Sequence, residues 1–252
     1  MGMNQKKVYI TMGVILLFGG FLLFCGGKSF ILAKELSTKR QVLKIDTFNY
    51  SNEKDADKEF KNIQNLVHKY KNGIARLVNK ENGLKSSYEP NDLVLSDVKS
   101  TKRDIYLSKV ASRNLEKMFK NAKKEGVDLY LISGYRSSSY QKKLYSDSLI
   151  HKGKEYTEKY LSKANYSEHQ TGLAVDISSK SISYQLIPNF ETTKEGKWLE
   201  ENAHNYGFIL RYKKDRVEDT GYGFEPWHFR YVGHDIAKYI YDNDLILEDL
   251  YK

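Results

Sequence analysis

Two short segments about fifty residues apart place the tightest constraint on how this chain can fold: Ser167-Glu-His169-Gln-Thr-Gly172-Leu-Ala-Val-Asp176 and Glu225-Pro-Trp-His228. Together they offer two imidazoles and one carboxylate, the donor set of a zinc site that leaves its fourth position open. The second segment adds another carboxylate, Glu225, of the kind that serves as general base beside such an ion. A fold that uses all four must bring both segments to one point, and that combination indicates hydrolytic chemistry.

Each half is weak by itself. His169 and Asp176 are seven residues apart, a spacing that shares a helical face, but Gly172 and the alternation of Leu173, Val175 and Ile177 with Gly172, Ala174 and Asp176 predict a turn running into a strand. Read alone, His169 is a surface histidine beside a turn and Asp176 an acid ending a strand. Glu225 and His228 flank Pro226, which excludes a regular helix interior. In an extended chain their odd separation puts them on opposite faces, so a bend or bulge near Pro226 must re-aim one of them.

The rest of the pattern predicts an α+β fold, a small and mostly antiparallel sheet with flanking helices that carries the zinc site. Asp55–Tyr70 has Phe60, Ile63, Leu66 and Val67 at helical spacing and reads as a juxtamembrane helix. A helix is expected from about Ser112 to Lys124, then a strand from Val127 to Ser133. Ser138 opens another helix, with Gln141 three residues on in the pattern of a capping box. Lys197 to Tyr206 reads as a helix closed by Gly207, followed by a strand from Phe208 to Tyr212. Trp227, Phe229 and Tyr231 alternate as a further strand, and a last helix runs from about His234 to Asp242. Helices and strands interleave without a regular βαβ rhythm, and no internal repeat is present.

The beginning of the chain has a different character. Lys6 and Lys7 precede an uncharged run from Val8 to Gly27, long enough to span a bilayer. No small-residue cleavage site is evident, and Cys25 follows Phe24 rather than a small residue, so an uncleaved anchor is expected rather than a signal peptide. The amino-terminal lysines favour that end staying inside, with the catalytic bulk outside the cytoplasm, although Lys28 and Lys34 reduce the contrast. The expected organisation is a cytoplasmic stub and transmembrane anchor over 1–32, a stalk and juxtamembrane helix over 33–76, and a catalytic domain over 77–252. Cys25 is the single cysteine, so no intrachain disulfide can form. The formal charge of +9 favours anionic wall polymers and lipid headgroups as partners; with the lysines spread along the chain and no binding signature, nucleic acid is not expected.

The combined segments resemble the signature of the zinc D-alanyl-D-alanine carboxypeptidases of peptidoglycan, their VanY-like branch in particular. Ser133-Gly-Tyr-Arg136, Tyr206-Gly-Phe-Ile-Leu210 and Trp227-His-Phe-Arg-Tyr-Val-Gly233 are similar to the same branch, as is the lead-in Leu77-Val-Asn-Lys80 with Tyr88-x-Pro90-x-Asp92-Leu-Val94. The resemblance spans roughly Leu77 to Tyr241. It implies one zinc ion held by His169, Asp176 and His228, with Glu225 as base and Arg136 reading the free terminal carboxylate of a stem peptide. It also implies that Ser167 and Gln141 contact that peptide, though Gln141 reads equally as a capping residue and Arg136 as a surface arginine. Tyr212 reads either as a residue closing over the ligand or as core. The activity implied is removal of the terminal D-alanine from peptidoglycan stem peptides. The alternatives are an L,D-carboxypeptidase acting on tetrapeptides, a non-catalytic wall-binding module on the same scaffold, and a basic anchored protein that binds anionic polymer.

Overall fold

The computed structural model describes residues 53–252. The expected anchor over Val8–Gly27 and the stalk up to residue 52 lie outside the described residues. Among the described residues no helix is long and apolar enough to cross a membrane.

Helix α1 (Glu53–Tyr70) leads to a two-stranded antiparallel sheet of β1 (Leu93–Leu95) and β2 (Tyr106–Ser108). There follow α2 (Lys109–Lys124), β3 (Leu129–Ser133), α3 (Ser138–Tyr160) and β4 (Ala174–Ser179). The chain continues through α4 (Lys194–Asn202), β5 (Phe208–Leu210), a single turn α5 (Val217–Thr220), β6 (His228–Tyr231), α6 (His234–Asp242) and a closing 3₁₀ turn, Leu247–Tyr251. The main sheet has four strands in the order β3-β4-β6-β5, every neighbour antiparallel. The mixed, largely antiparallel architecture expected from the sequence is present.

The two faces of this sheet have opposite chemistry. Period-two alternation sends Leu131, Val175, Ile177, Phe208 and Phe229 to one side. There they pack with Leu115, Met118 and Phe119 of α2 and Trp198 and Leu199 of α4 into the main core. Asp176, His228 and Arg230 point the other way, where the functional side chains gather. Every residue of β4 is buried, so the half-buried strand expected from its alternation is covered on both sides.

Helix α1 departs from the expected stalk. Ile63 and Val67 are buried in a second apolar cluster with Ile236, Ile240 and Leu247, and Phe60 lies 6.3 Å from Tyr239. The stripe that marks the helix as amphipathic is thus spent on α6 and the carboxy-terminal turn, and the helix packs within the same compact unit as the residues after Leu77. The strand Tyr106–Ser108, too short to show a period, has no counterpart in the sequence reading.

Helix α3 also differs from the sequence reading. The cap of α3 is Ser137, whose side chain accepts from the Tyr140 amide, so Ser138 and Gln141 form no capping box; Gln141 instead donates from Nε2 to the Ser162 carbonyl, 2.7 Å away. Gly153, at φ 79°, breaks α3 into two helical pieces, and Ser148 and Thr157 meet across the break at 2.8 Å.

Candidate metal centre and substrate cleft

The site is assembled from three loops and two strands. His169 lies in a 3₁₀ turn, Glu168–Thr171, that precedes β4 and is closed by Gly172 at φ 68°, a conformation that disfavours any side chain with a Cβ. The loop after β3 clamps this turn from the side: Nδ1–H of His169 donates to the Gly134 carbonyl at 2.7 Å, and the Arg136 amide donates to the His169 carbonyl at 3.1 Å. A side chain at Gly134 would place its Cβ 2.6 Å from the Tyr106 carbonyl, so only glycine allows this approach.

Asp176 and His228 face each other across the β4–β6 ladder as directly paired residues. Direct pairing puts both side chains on one sheet face within easy reach, and His228 Nδ1 lies 3.2 Å from Asp176 Oδ1. The other oxygen, Oδ2, lies 3.3 Å from His169 Nε2. The conflict over Glu225 and His228 is resolved by a tight turn through Pro226, in which the His228 amide donates to the Glu225 carbonyl at 3.1 Å. It brings Glu225 Oε2 to 3.9 Å from His228 Nδ1.

One ligand atom each from His169, Asp176 and His228 all lie within 4.8 Å of one another, and the three residues are buried, so the cluster can hold a metal ion. The fit is supported by His169: its Nδ1 is committed to Gly134, while its buried Nε2 meets only the carboxylate of Asp176 among the described residues, at 3.3 Å and without well-aligned hydrogen-bond geometry. That polarity is what a metal-ligating imidazole needs, one nitrogen fixed by a hydrogen bond and the other turned toward a second ligand.

The electrostatics divide the titratable groups. Burial, then the Arg136 guanidinium, lowers His169 to about 4, so it is neutral at pH 7. Burial opposes charge on His228 as well, but hydrogen bonds to Asp176 and Glu168 outweigh it and push the imidazole up to about 9. Burial would also raise Asp176, yet the two histidines hold its carboxyl well below the usual range. Glu225 is pushed up to about 8 by burial, with Asp176 adding to the rise and His228 and Arg136 opposing it. A carboxyl in that range exchanges protons near neutral pH, as a general base must.

The remaining expected residues converge on the same cleft. Arg136, Gln141, Ser167 and Tyr212 all line it, together with Tyr160, Ser162 and Tyr222. Arg136 sends NH2 to 3.8 Å from Asp176 Oδ2, and its Nε is buried without a partner among the described residues. Gln141 Oε1 is in the same condition. The Tyr212 ring is wedged between His228 at 4.9 Å and Tyr222 at 5.0 Å, a packed wall of the cleft. A larger cavity of about 260 Å³ lies between α4, β5 and α6, lined by Phe208, Leu210 and Tyr241, and holds none of these residues.

The sequence reading missed what lies behind the cluster. Glu168 is buried beside His169 and reaches back to His228, with Oε2 3.3 Å from Nε2. Its other oxygen accepts from Arg211 Nε and Arg230 NH1, both at 2.8 Å. Both arginines are fully buried, and although burial opposes ionisation they hold the Glu168 carboxyl far below its ordinary range. The available signal was positional: Glu168 sits between two motif residues, and Arg230 lies two residues after His228 on the same strand face.

Comparison with known proteins agrees with this geometry. The family profile described as VanY: D-alanyl-D-alanine carboxypeptidase matches residues 104–234, just over half of the chain. A putative carboxypeptidase of Bacillus subtilis (strain 168), YodJ, is 41% identical over 226 residues, covering 87% of this chain and 80% of its own. The bifunctional D-Ala-D-Ala dipeptidase and carboxypeptidase VanXYC of Enterococcus gallinarum is 37% identical over 63% of this chain and 83% of its own. Among solved structures, the LD-carboxypeptidase LdcB superposes with a TM-score of 0.65 at 45% identity, over 69% of this chain and 84% of that one. A Zn(II) complex of a point mutant of the D,D-pentapeptidase VanY, from a VanB-type vancomycin resistance cassette, gives a TM-score of 0.59 at 30% identity, over 71% of this chain and 99% of that one. Fold and cleft thus define a carboxypeptidase scaffold with a three-residue cluster that could hold a metal. The chain belongs to the VanY family.

Proposed function

We propose that this protein is a zinc-dependent carboxypeptidase that removes the C-terminal D-alanine from peptidoglycan stem peptides. The observation that carries the proposal is the convergence of His169, Asp176 and His228 with Glu225 at 3.9 Å and Arg136 at 3.8 Å from members of the cluster. Zinc held by the three ligands supplies a Lewis acid that polarises the scissile carbonyl and acidifies water. Glu225 takes a proton from the attacking water and returns it to the departing amine, a shuttle suited to a carboxyl poised near neutral pH. Arg136 pairs its planar guanidinium with the free carboxylate of the terminal residue, which selects a chain end over an internal bond. The buried Oε1 of Gln141, which has no partner among the described residues, accepts an amide N–H of the stem peptide, and Ser167 offers a hydroxyl on the same wall. Tyr212 keeps the His228 ring in place and excludes water from that side.

The D,D reaction takes the last residue of a pentapeptide, and the L,D reaction takes the last residue of a tetrapeptide. Likeness to VanY at 30% identity supports the first, and likeness to LdcB at 45% identity supports the second. Incubation with defined penta- and tetrapeptide stems, read by mass spectrometry, separates them: D-alanine released from the pentapeptide alone establishes D,D action. Release from the tetrapeptide alone establishes L,D action, and no release from either ends the proposal. The proposal extends to location, with Val8–Gly27 as an uncleaved anchor and the cleft on the extracytoplasmic side, supported by the apolar run and its flanking lysines. Protease treatment of intact cells should then remove the domain.

A further inference from the structure

We propose that Glu168 is a positioning residue for the metal centre, holding His228 by Nε2 so that Nδ1 faces Asp176, and that it is itself held by an ion chain ending on Glu248 in the carboxy-terminal turn. The inference rests on the reading of His169, Asp176 and His228 as metal ligands. The geometry is directional. Both arginines converge on Oε1 of Glu168, at 2.8 Å each, and leave Oε2 for His228 at 3.3 Å. A carboxylate that merely balanced Arg211 would offer both oxygens in a bidentate fork, the stronger arrangement. Arg211 makes that fork elsewhere, with Glu248, at 2.8 and 2.6 Å. Glu248 Oε1 in turn accepts from Asn79 Nδ2 at 3.2 Å.

The chain therefore runs from the Leu247–Tyr251 turn through Arg211 and Glu168 to the imidazole. Two glutamates and two arginines leave it formally neutral, so it can be buried without a stray charge. It answers a real ambiguity: a half-turn of the imidazole about its bond to Cβ would exchange Nδ1 for a carbon. A hydrogen bond at Nε2 also decides which nitrogen keeps its proton.

The test uses the full chain, stripped of metal and refilled with zinc or cobalt(II). In E168Q the arginines claim the amide oxygen and turn the NH2 toward Nε2, which favours the tautomer protonated at Nδ1. Zinc affinity measured against a chromophoric chelator should fall about 10- to 100-fold, and the visible absorption of the cobalt(II) form should change. E168D keeps its charge for the arginines but is one methylene short of the imidazole, and it should lose about 10-fold. A role confined to tying the carboxy terminus to the sheet would lower the melting temperature and leave affinity and spectrum untouched. Wild-type affinity and a wild-type cobalt spectrum in either folded variant overturn the proposal. Should neither variant fold, E248Q decides it: a measurable loss of zinc affinity supports the chain, and unchanged affinity overturns it. Failure of the underlying reading looks different, because the wild-type protein itself would then take up no zinc.

Discussion

The two faces of the four-stranded sheet are built on the same strands but obey different rules. On the helix-packed face, Val175, Ile177, Phe208 and Phe229 are held by apolar contact alone, and neighbours of similar size could replace them. On the opposite face, Asp176, His228, Arg230 and Glu168 are equally buried, yet each is fixed by a specific partner at a specific distance. The difference teaches that burial here serves two purposes. One face supplies stability through area removed from water. The other holds charge in a geometry that stability alone would not select, since hydrophobic replacements of buried ion pairs are often neutral or better.

If the faces are separable, substitutions on them should have separable effects. The largest is expected at Glu225: E225Q should keep its zinc by metal analysis while turnover of stem peptide falls about 100- to 10,000-fold. Retained turnover would remove Glu225 from the chemistry. On the apolar face, Phe208→Ala should lower unfolding free energy by about 3–5 kcal/mol in a denaturant titration, with the zinc affinity of the folded fraction unchanged. A weakened zinc site in that variant would show the faces to be coupled. Arg136→Lys keeps the charge but loses the planar fork, so kcat/KM should fall about 10-fold or more. Most of that loss should appear in KM if the arginine binds ground state and transition state alike.

A further effect is a pH dependence, read without any substitution. In metal-stripped protein His228 keeps a second proton up to about pH 9, and zinc must displace it. Apparent zinc affinity should therefore rise about tenfold per pH unit between pH 7 and 9 and level off above. The same raised value, together with Glu225 at about 8, works the other way on stability. A raised folded-state pKa favours the fold at low pH and loses that contribution as pH climbs through it. His169, lowered to about 4, works the opposite way up to its ordinary value of 6.5. The melting temperature of the stripped protein should therefore decline from about pH 6.5 to 9, and a flat profile over that range would contradict both shifts.

The apolar face was largely legible in the sequence because alternation is a local signal: Leu173, Val175 and Ile177 announce their strand without reference to anything distant. His169, Asp176, Glu225 and His228 were legible for a different reason, the resemblance of their combined segments to a family signature. Their supports were not. Arg211 is 43 residues from Glu168 and 37 from Glu248, and a lone arginine on a strand reads as a solvated charge until the fold shows its partner. The capping-box alternative for Gln141 failed because a local rule competed with a contact 21 residues away at Ser162. Helix α1 was recognised, but amphipathicity shows only that a helix has a sticky side, and the surface it meets is contributed by residues near 236–250.

The rung that sets Asp176 opposite His228 has one more consequence. Side chains along a strand alternate between faces, so sliding β6 past β4 by a single residue would turn one of the two toward the helices and break the pair. An ion held by this cluster would therefore favour the correctly zipped sheet. A metal taken up during maturation would act as a proofreader, trapping the chains that have aligned and leaving the misaligned ones free to unzip and try again.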